Sequence, residues 1–219
     1  MAIKPDREYR DFFAFNLVET RAEDEGGEGM FVEGYASTFE PYTLFEDDWN
    51  GVHEIYREQI TPDAFTETDL TDVVFLRDHT GTVLGRTKNG LVRLSIDEKG
   101  LFTRTDLSKT EAARQMFEDI KAENYTQMSF AFTSDRTAED WTEERDGQTA
   151  IYTRIIKRVK KVYDVSAVGF PANPTTDISP ATRSIFDGEI EKLRAERREA
   201  ERKARERATL ALKIKLERR

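Results

Sequence analysis

The amino-acid sequence predicts an α+β domain built on a mostly antiparallel, barrel-like sheet, followed by a charged helical tail. Three observations carry this expectation. Short runs of strand composition outnumber helical ones between residues 30 and 170, with no regular strand–helix alternation of the kind that marks a parallel βαβ sheet. One stretch near the middle of the chain has helical periodicity behind a capping signal. After Ser179-Pro180 the composition changes abruptly, and Glu189 to Arg219 is dominated by Glu, Arg, Lys, Ala and Leu without Pro or Gly. The length of 219 residues fits one substantial core plus an appendage. The expected organisation is a flexible N-terminal segment at residues 1–29, a body at 30–180, and a charged helical or disordered tail at 181–219.

Taken in order, the chain is charged and ragged until Phe31 to Phe39, whose alternation marks a strand. Glu40 to Glu58 mixes acids, Pro41, Gly51 and aromatics and reads as a long surface loop carrying His53. Val73-Val74-Phe75-Leu76-Arg77-Asp78-His79 reads as a buried strand that delivers an imidazole at its exposed end. Leu91 to Ile96 and Leu101 to Thr105 flank Asp97-Glu98-Lys99-Gly100 as a hairpin with a four-residue loop. Ser108-Lys109-Thr110-Glu111 fits a capping box, and Ala112, Ala113, Met116, Phe117 and Ile120 then recur at helical spacing, predicting a helix over about Lys109 to Glu123. Tyr125 to Phe132 alternates, with Met128, Phe130 and Phe132 on one face and Gln127, Ser129 and Ala131 on the other. Ser134 to Gln148 is a loop or the turn of a long hairpin. Strands at Ile151 to Ile156 and Val159 to Val168 lead to Phe170-Pro171-Ala172-Asn173-Pro174, where two prolines stop the sheet.

Composition narrows the chemistry. With no cysteine there is no disulfide framework, thiolate metal site or cysteine nucleophile, so nucleophilic catalysis falls to Ser, Thr, Lys or a carboxylate. No apolar run is long enough to span a membrane, and the start Met-Ala-Ile-Lys-Pro-Asp-Arg-Glu lacks the apolar core of a secretory signal. A soluble, cytoplasmic protein without a membrane partner is therefore expected. The net charge is −9, but residues 187–219 hold 12 basic against 8 acidic residues, which leaves 22 against 35 elsewhere. An acidic body repels phosphate backbones, so no direct nucleic-acid partner is expected. The mixed charges of the tail read as a solvated helix with i,i+4 pairs, and its apolar positions follow a heptad only loosely.

Histidine titrates near neutrality and can act as base and then acid, and this chain has only two. His79 therefore invites a search for partners. Ser129 is the candidate nucleophile, because a serine hydroxyl attacks a carbonyl only when an adjacent imidazole takes its proton. A third group must hold the imidazole. Asp78 is its neighbour, but adjacent residues of an extended strand point to opposite faces. Asp164 interrupts the apolar run Val162-Tyr163-Asp164-Val165-Ser166-Ala167-Val168, where a desolvated carboxylate needs a partner. Ser166, on the same face, is the reserve candidate. A metal site built from His79, His53 and carboxylates is disfavoured, since the histidines lie 26 positions apart and one sits in a loop. Neither a metal nor a cofactor is expected.

Several of these pieces occur together in one order. They are Gly34-Tyr35-Ala36, Ile60-Thr61-Pro62-Asp63-Ala64-Phe65, Asp78-His79 followed by Gly85-Arg86, Lys99-Gly100-Leu101, Met128-Ser129-Phe130, and Tyr163 to Val168 before Phe170-Pro171-Ala172-Asn173-Pro174. The set, covering roughly Phe31 to Asn173, resembles the prohead (capsid maturation) proteases of tailed bacteriophages, which look related to the herpesvirus assembly proteases. The resemblance implies Ser129 as nucleophile, His79 as general base and Asp164 as third member, although the family often has glutamate there. It implies a closed or nearly closed β-barrel flanked by helices over residues 30–180. It also implies a serine endopeptidase that cleaves the scaffolding segment of the major capsid protein, and itself, inside an immature capsid in the host cytoplasm. The expected partners are thus the major capsid protein, its scaffolding segment and other copies of the chain. On this reading the tail binds the scaffolding segment or shell interior and is removed by self-cleavage. The alternative is a non-catalytic, scaffold-like capsid assembly protein on the same fold, with Ser129 and His79 inert.

Overall fold

The computed structural model describes residues 7–13, 16–20, 29–169 and 180–217. The chain divides into two compact units, Met1–Ile178 and Ser179–Arg219. In the first, thirteen strands are described: β1 (Glu8–Phe13), β2 (Asn16–Thr20), β3 (Gly29–Thr38), β4 (Tyr42–Trp49), β5 (Val52–Ile60), β6 (Val74–Arg77), β7 (Thr80–Arg86), β8 (Val92–Ile96), β9 (Gly100–Asp106), β10 (Gln127–Ser134), β11 (Glu139–Asp146), β12 (Thr149–Ile156) and β13 (Val159–Val168). One helix, α1 (Glu111–Lys121), joins β9 to β10. The Phe170 to Pro174 stretch expected to end the sheet lies outside the described residues.

The predicted α+β barrel is not what forms. The described strands make three open sheets, ordered β1-β10-β13-β6-β7, β11-β12-β5-β4 and β2-β3-β9-β8. None closes on itself, and α1 is the only α-helix described in this unit, so the fold is mostly β rather than a barrel flanked by helices. Closure needs an unbroken hydrogen-bond ladder from the first strand to the last. Here the chain leaves one sheet for another at several connections, and two neighbours, β13–β6 and β12–β5, run parallel, which hairpins cannot supply. Alternation within each strand is compatible with either arrangement, because it sets which residues face inward and not which edges meet. The outer strands β4 and β11 carry exposed carboxylates at Glu46, Asp47, Asp48, Asp140 and Glu144, a charged rim that discourages further edge pairing.

Local readings fare unevenly. The helix is two residues shorter at each end than expected, and Thr110 rather than Ser108 is its N-cap, accepting from the Ala113 N–H at 3.2 Å. Its buried face is Ala113, Met116, Phe117 and Ile120, the apolar spacing of the sequence without exposed Ala112. The β8–β9 hairpin forms around Asp97, whose carboxylate accepts from the N–H groups of Lys99 and Gly100 at 2.8 and 3.1 Å. Gly100 is required there, since a Cβ would stand 2.0 Å from the Ser37 carbonyl oxygen of β3. The expected surface loop at residues 40–58 is instead the β4–β5 hairpin, turned by Asn50-Gly51 at φ of +52° and +76°. His53 therefore sits on a strand. Residues 8–13 and 16–20, within the segment expected to be flexible, are β1 and β2.

The core joins Val32 and Ala36 of β3, Phe75 of β6, Leu101 of β9, Met116 and Phe117 of α1, Phe130 and Phe132 of β10, Ile156 of β12 and Val165 of β13. It thus draws on all three sheets. In the second unit, α2 (Pro180–Glu217) is 38 residues, about 57 Å at the α-helical rise. Its surface carries pairs such as Arg202 with Glu199 and Glu206 at i,i+3 and i,i+4 spacing. No helix among the described residues is long and apolar enough to cross a membrane.

Candidate active site

The site is built on β10, β13 and the β6–β7 turn. Met128, Phe130 and Phe132 anchor one face of β10 in the core, so alternation turns Ser129 and Ala131 to the other. Both are fully buried, so that face is covered rather than solvated. In register, Ser129 lies opposite Ser166 and Ala131 opposite Asp164 on β13. Phe132 then pairs with Val162, which leaves Tyr163 without a partner on β10. Such a bulge bends the strand and re-aims the side chains beside it, here at the point where Asp164 leaves an otherwise apolar run. Asp164 is only 2% exposed.

β13 pairs in parallel with β6, setting Asp164 opposite Val74 and Ser166 opposite Leu76. β6 returns as β7 through Asp78 and His79, with Arg77 opposite Thr80. His79 is therefore in a two-residue hairpin turn and not at the end of an extended strand. Both turn residues have left-handed backbones, φ +46° and +55°, the signature of the type I′ turn that suits twisted strands. Asp and His tolerate this region better than most residues, yet each non-glycine residue held there costs on the order of 1–3 kcal/mol. Neighbouring groups hold the turn. The Asp78 N–H donates to the Ala167 carbonyl at 2.9 Å, and the His79 N–H donates to Ser166 Oγ at 3.2 Å. The Asp78 carboxylate does not orient the ring; it accepts from the Gly169 N–H at 3.2 Å. Burial, with the Asp78 carboxylate nearby, pushes the Tyr125 hydroxyl up from its ordinary value, against the opposing Arg77 charge.

From this turn the imidazole bridges two strands. Nδ1 lies 2.5 Å from Asp164 Oδ1, and Nε2 lies 2.6 Å from Ser129 Oγ. With a carboxylate accepting at Nδ1, the hydrogen belongs there, and Nε2 is left to accept from the serine hydroxyl. Ser166 completes the group, donating from Oγ to Asp164 Oδ1 at 2.9 Å while lying 3.2 Å from Nδ1. Structure thus brings together Ser129, His79, Asp164 and the reserve residue Ser166. Ser129 is fully buried, and the His79 side chain retains 16% exposure. The geometry allows a proton to pass from Oγ to Nε2 as the oxygen attacks an electrophile, with the imidazolium held against Asp164. His53 is not part of this cluster and pairs at the surface with Asp48 and Glu46, at 3.0 and 3.3 Å. Among the described residues no group of three or more His, Asp or Glu side chains is placed to hold a metal ion.

Two features escaped sequence reading. The first is Tyr9 of β1, whose ring meets the His79 ring edge-on, centroids 4.7 Å apart at 74°. The second is a buried ionic network under β1. Arg10 donates to both Glu58 carboxylate oxygens at 2.6 and 2.7 Å and to Glu8 at 2.8 Å. Arg154, itself fully buried, donates to Glu58 at 2.8 Å, to Glu8 at 3.0 Å and to Glu139 at 3.0 Å. Burial alone would raise the Glu8 carboxyl; Arg10 beside it, with hydrogen bonds from Arg154 and Ser134, outweighs that and holds it down to about 2. Burial would also raise the Glu58 carboxyl, and the Arg10 and Arg154 charges lower it against both that burial and the Glu8 charge. The available signal was charge of opposite sign at paired positions: Arg154 of β12 stands directly opposite Glu58 of β5.

Comparison with known proteins comes to three findings. The family model of the caudovirus prohead serine protease matches residues 16–189, a span that holds Ser129, His79, Asp164 and Ser166. The solved structure of the bacteriophage T4 capsid assembly protease, gp21, is similar at 11% identity over 76% of this chain and 98% of that one, with a TM-score of 0.46. No curated protein sequence matches at a significant level.

Proposed function

The chain belongs to the caudovirus prohead serine protease family, and from that premise we propose that it is an endopeptidase that cleaves the scaffolding segment of the major capsid protein, and itself, inside the immature capsid. The observation that supports this most is the imidazole of His79 spanning from Ser129 Oγ to Asp164 Oδ1 at 2.6 and 2.5 Å. In the proposed mechanism Ser129 Oγ attacks the scissile carbonyl carbon while its proton passes to His79 Nε2. Asp164 steadies the imidazolium through the Nδ1 hydrogen bond. The tetrahedral adduct collapses to an acyl-enzyme as Nε2 returns the proton to the departing amine. Water, deprotonated by the same nitrogen, then releases the acid and restores the serine. On this reading Asp164 serves where the family often carries glutamate; the bulge at Tyr163 supports the shorter side chain, because it re-aims the strand beside the carboxylate.

The test is co-production of the full-length chain with its capsid precursor. Ser129→Ala is expected to leave precursor and protease uncut while the variant retains the wild-type fold by circular dichroism. Unchanged processing by this variant would overturn the assignment of the nucleophile.

A further inference from the structure

The imidazole of His79 is held at its two nitrogens, by Ser129 and Asp164. A swing of the side chain about χ1 or χ2 carries Nε2 away from the serine hydroxyl, and the two hydrogen bonds resist it only at the ring's nitrogens, leaving its faces to be held by packing. Tyr9 supplies the missing constraint. Its ring stands 4.7 Å away at 74°, so an edge of one ring abuts the face of the other. We propose that Tyr9 is a positioning residue for the general base, contributed by an N-terminal strand that precedes the family-matched residues 16–189.

β1 is a rigid mount for that contact. It pairs along β10 with Tyr9 opposite Ala131 and residue 11 opposite Ser129, so it forms the edge of the site's own sheet. Alternation sends Glu8 and Arg10 to the face opposite Tyr9. Both are locked there by charged hydrogen bonds to groups on other strands: Glu8 to Ser134 of β10 and Arg154 of β12, Arg10 to Glu58 of β5. Arg7, in phase with Tyr9, lies over the ring of bulged Tyr163, 3.6 Å from guanidinium carbon to centroid. A strand tethered on both faces cannot easily carry Tyr9 away from the imidazole. In the sheet row Tyr9–Ala131–Asp164, the small middle residue separates the tyrosine from the carboxylate that the same imidazole bonds.

This inference rests on the reading of Ser129 and His79 as nucleophile and base, and the experiment separates the two. Full-length protein is treated with a fluorophosphonate probe: the Ser129 Oγ–phosphorus bond forms, the phosphorus–fluorine bond breaks, fluoride leaves and the hydroxyl proton passes to Nε2. The maximal inactivation rate and the half-saturating probe concentration are measured for wild type, Ser129→Ala, Tyr9→Phe, Tyr9→Leu and Tyr9→Met, with labelled peptides identified by mass spectrometry. Tyr9→Leu and Tyr9→Met are expected to lower the maximal rate by roughly ten- to a hundredfold, the scale on which small misplacements of catalytic groups act, with half-saturation unchanged. Tyr9→Phe keeps the ring and is expected to stay within about twofold of wild type. Either aliphatic variant reacting as fast as Tyr9→Phe would overturn the positioning role, as would a change confined to half-saturation. If Tyr9→Leu does not fold, the less demanding Tyr9→Met decides the matter. Absence of label on Ser129 in the wild type would instead sink the nucleophile assignment, and the inference with it.

Discussion

His79 Nε2 lies 2.6 Å from Ser129 Oγ across fifty positions of sequence. The contact exists because the β6–β7 turn carries two consecutive left-handed residues that lift the imidazole over the sheet, while β10 holds the serine on the face that its phenylalanines leave free. Nothing in either segment alone requires the other.

If Asp164 orients the imidazolium, Asp164→Asn removes the acceptor that selects the Nδ1–H tautomer. Peptide turnover is then expected to fall by about 10⁴, the loss that this change produces in the well-studied serine-protease triad, with the fold intact by circular dichroism. A loss below tenfold would move the orienting role to Ser166 or another group.

Ser166 acts on both partners of that bond, donating to Asp164 and accepting the N–H of His79 in its strained turn. Ser166→Ala leaves a partly buried N–H without this acceptor, so a stability loss of about 1 kcal/mol is expected in denaturant unfolding. Turnover is expected to drop roughly tenfold with KM unchanged, as for a group that positions rather than binds. Wild-type turnover would show that the turn holds itself.

Acid should weaken the anchorage of β1. The Glu8 and Glu58 carboxyls are depressed in the folded protein, Glu8 to about 2 from an ordinary 4.5. A depressed acid contributes stability above its unfolded value and loses it as pH falls toward the folded one. Denaturant midpoints are therefore expected to hold above about pH 4.5 and to decline between 4.5 and 2. Glu58→Gln should flatten that decline, and an unchanged slope in this variant would show that the network does not govern acid stability.

Truncation at about Ser184 removes nearly all of α2, the unit of charged, helix-forming composition. If this helix engages the scaffolding segment or shell interior, the shortened protein should keep peptide hydrolysis and lose encapsidation, measured by protease content of purified proheads. Normal packaging of the truncated chain would reject that role.

How much of this could be read from the residues depends on whether the signal was local. Met128, Phe130 and Phe132 announced the inward face of β10, and Met116, Phe117 and Ile120 that of α1, because burial there follows strict periodicity. On β5 the same logic fails in part: Glu54 and Glu58 face inward with Tyr56 and Ile60, and on β12 Arg154 does so beside Tyr152 and Ile156, each charge met by polar partners. That mixing hid the β4–β5 hairpin despite its Asn50-Gly51 turn. The Asp78-His79 turn carries no glycine and so reads as the end of a strand. Closure of a barrel is what the family resemblance implies; strand number alone predicts only a strand-rich sheet, and which edges meet is set by long-range pairing. The meeting of His79 with Ser129 and Asp164 likewise rests on the pairing of β10 with β13 and of β13 with β6, visible only once the strands are paired.

The central claim is that Ser129, activated by His79, forms a covalent intermediate with its substrate. Mixing the full-length protease with capsid precursor, quenching in acid within a turnover and mapping the digested protease by mass spectrometry tests it most directly. An acyl adduct on the peptide that contains Ser129, absent in His79→Ala, is the predicted result; continued cleavage by His79→Ala, or an adduct on another residue, would contradict it.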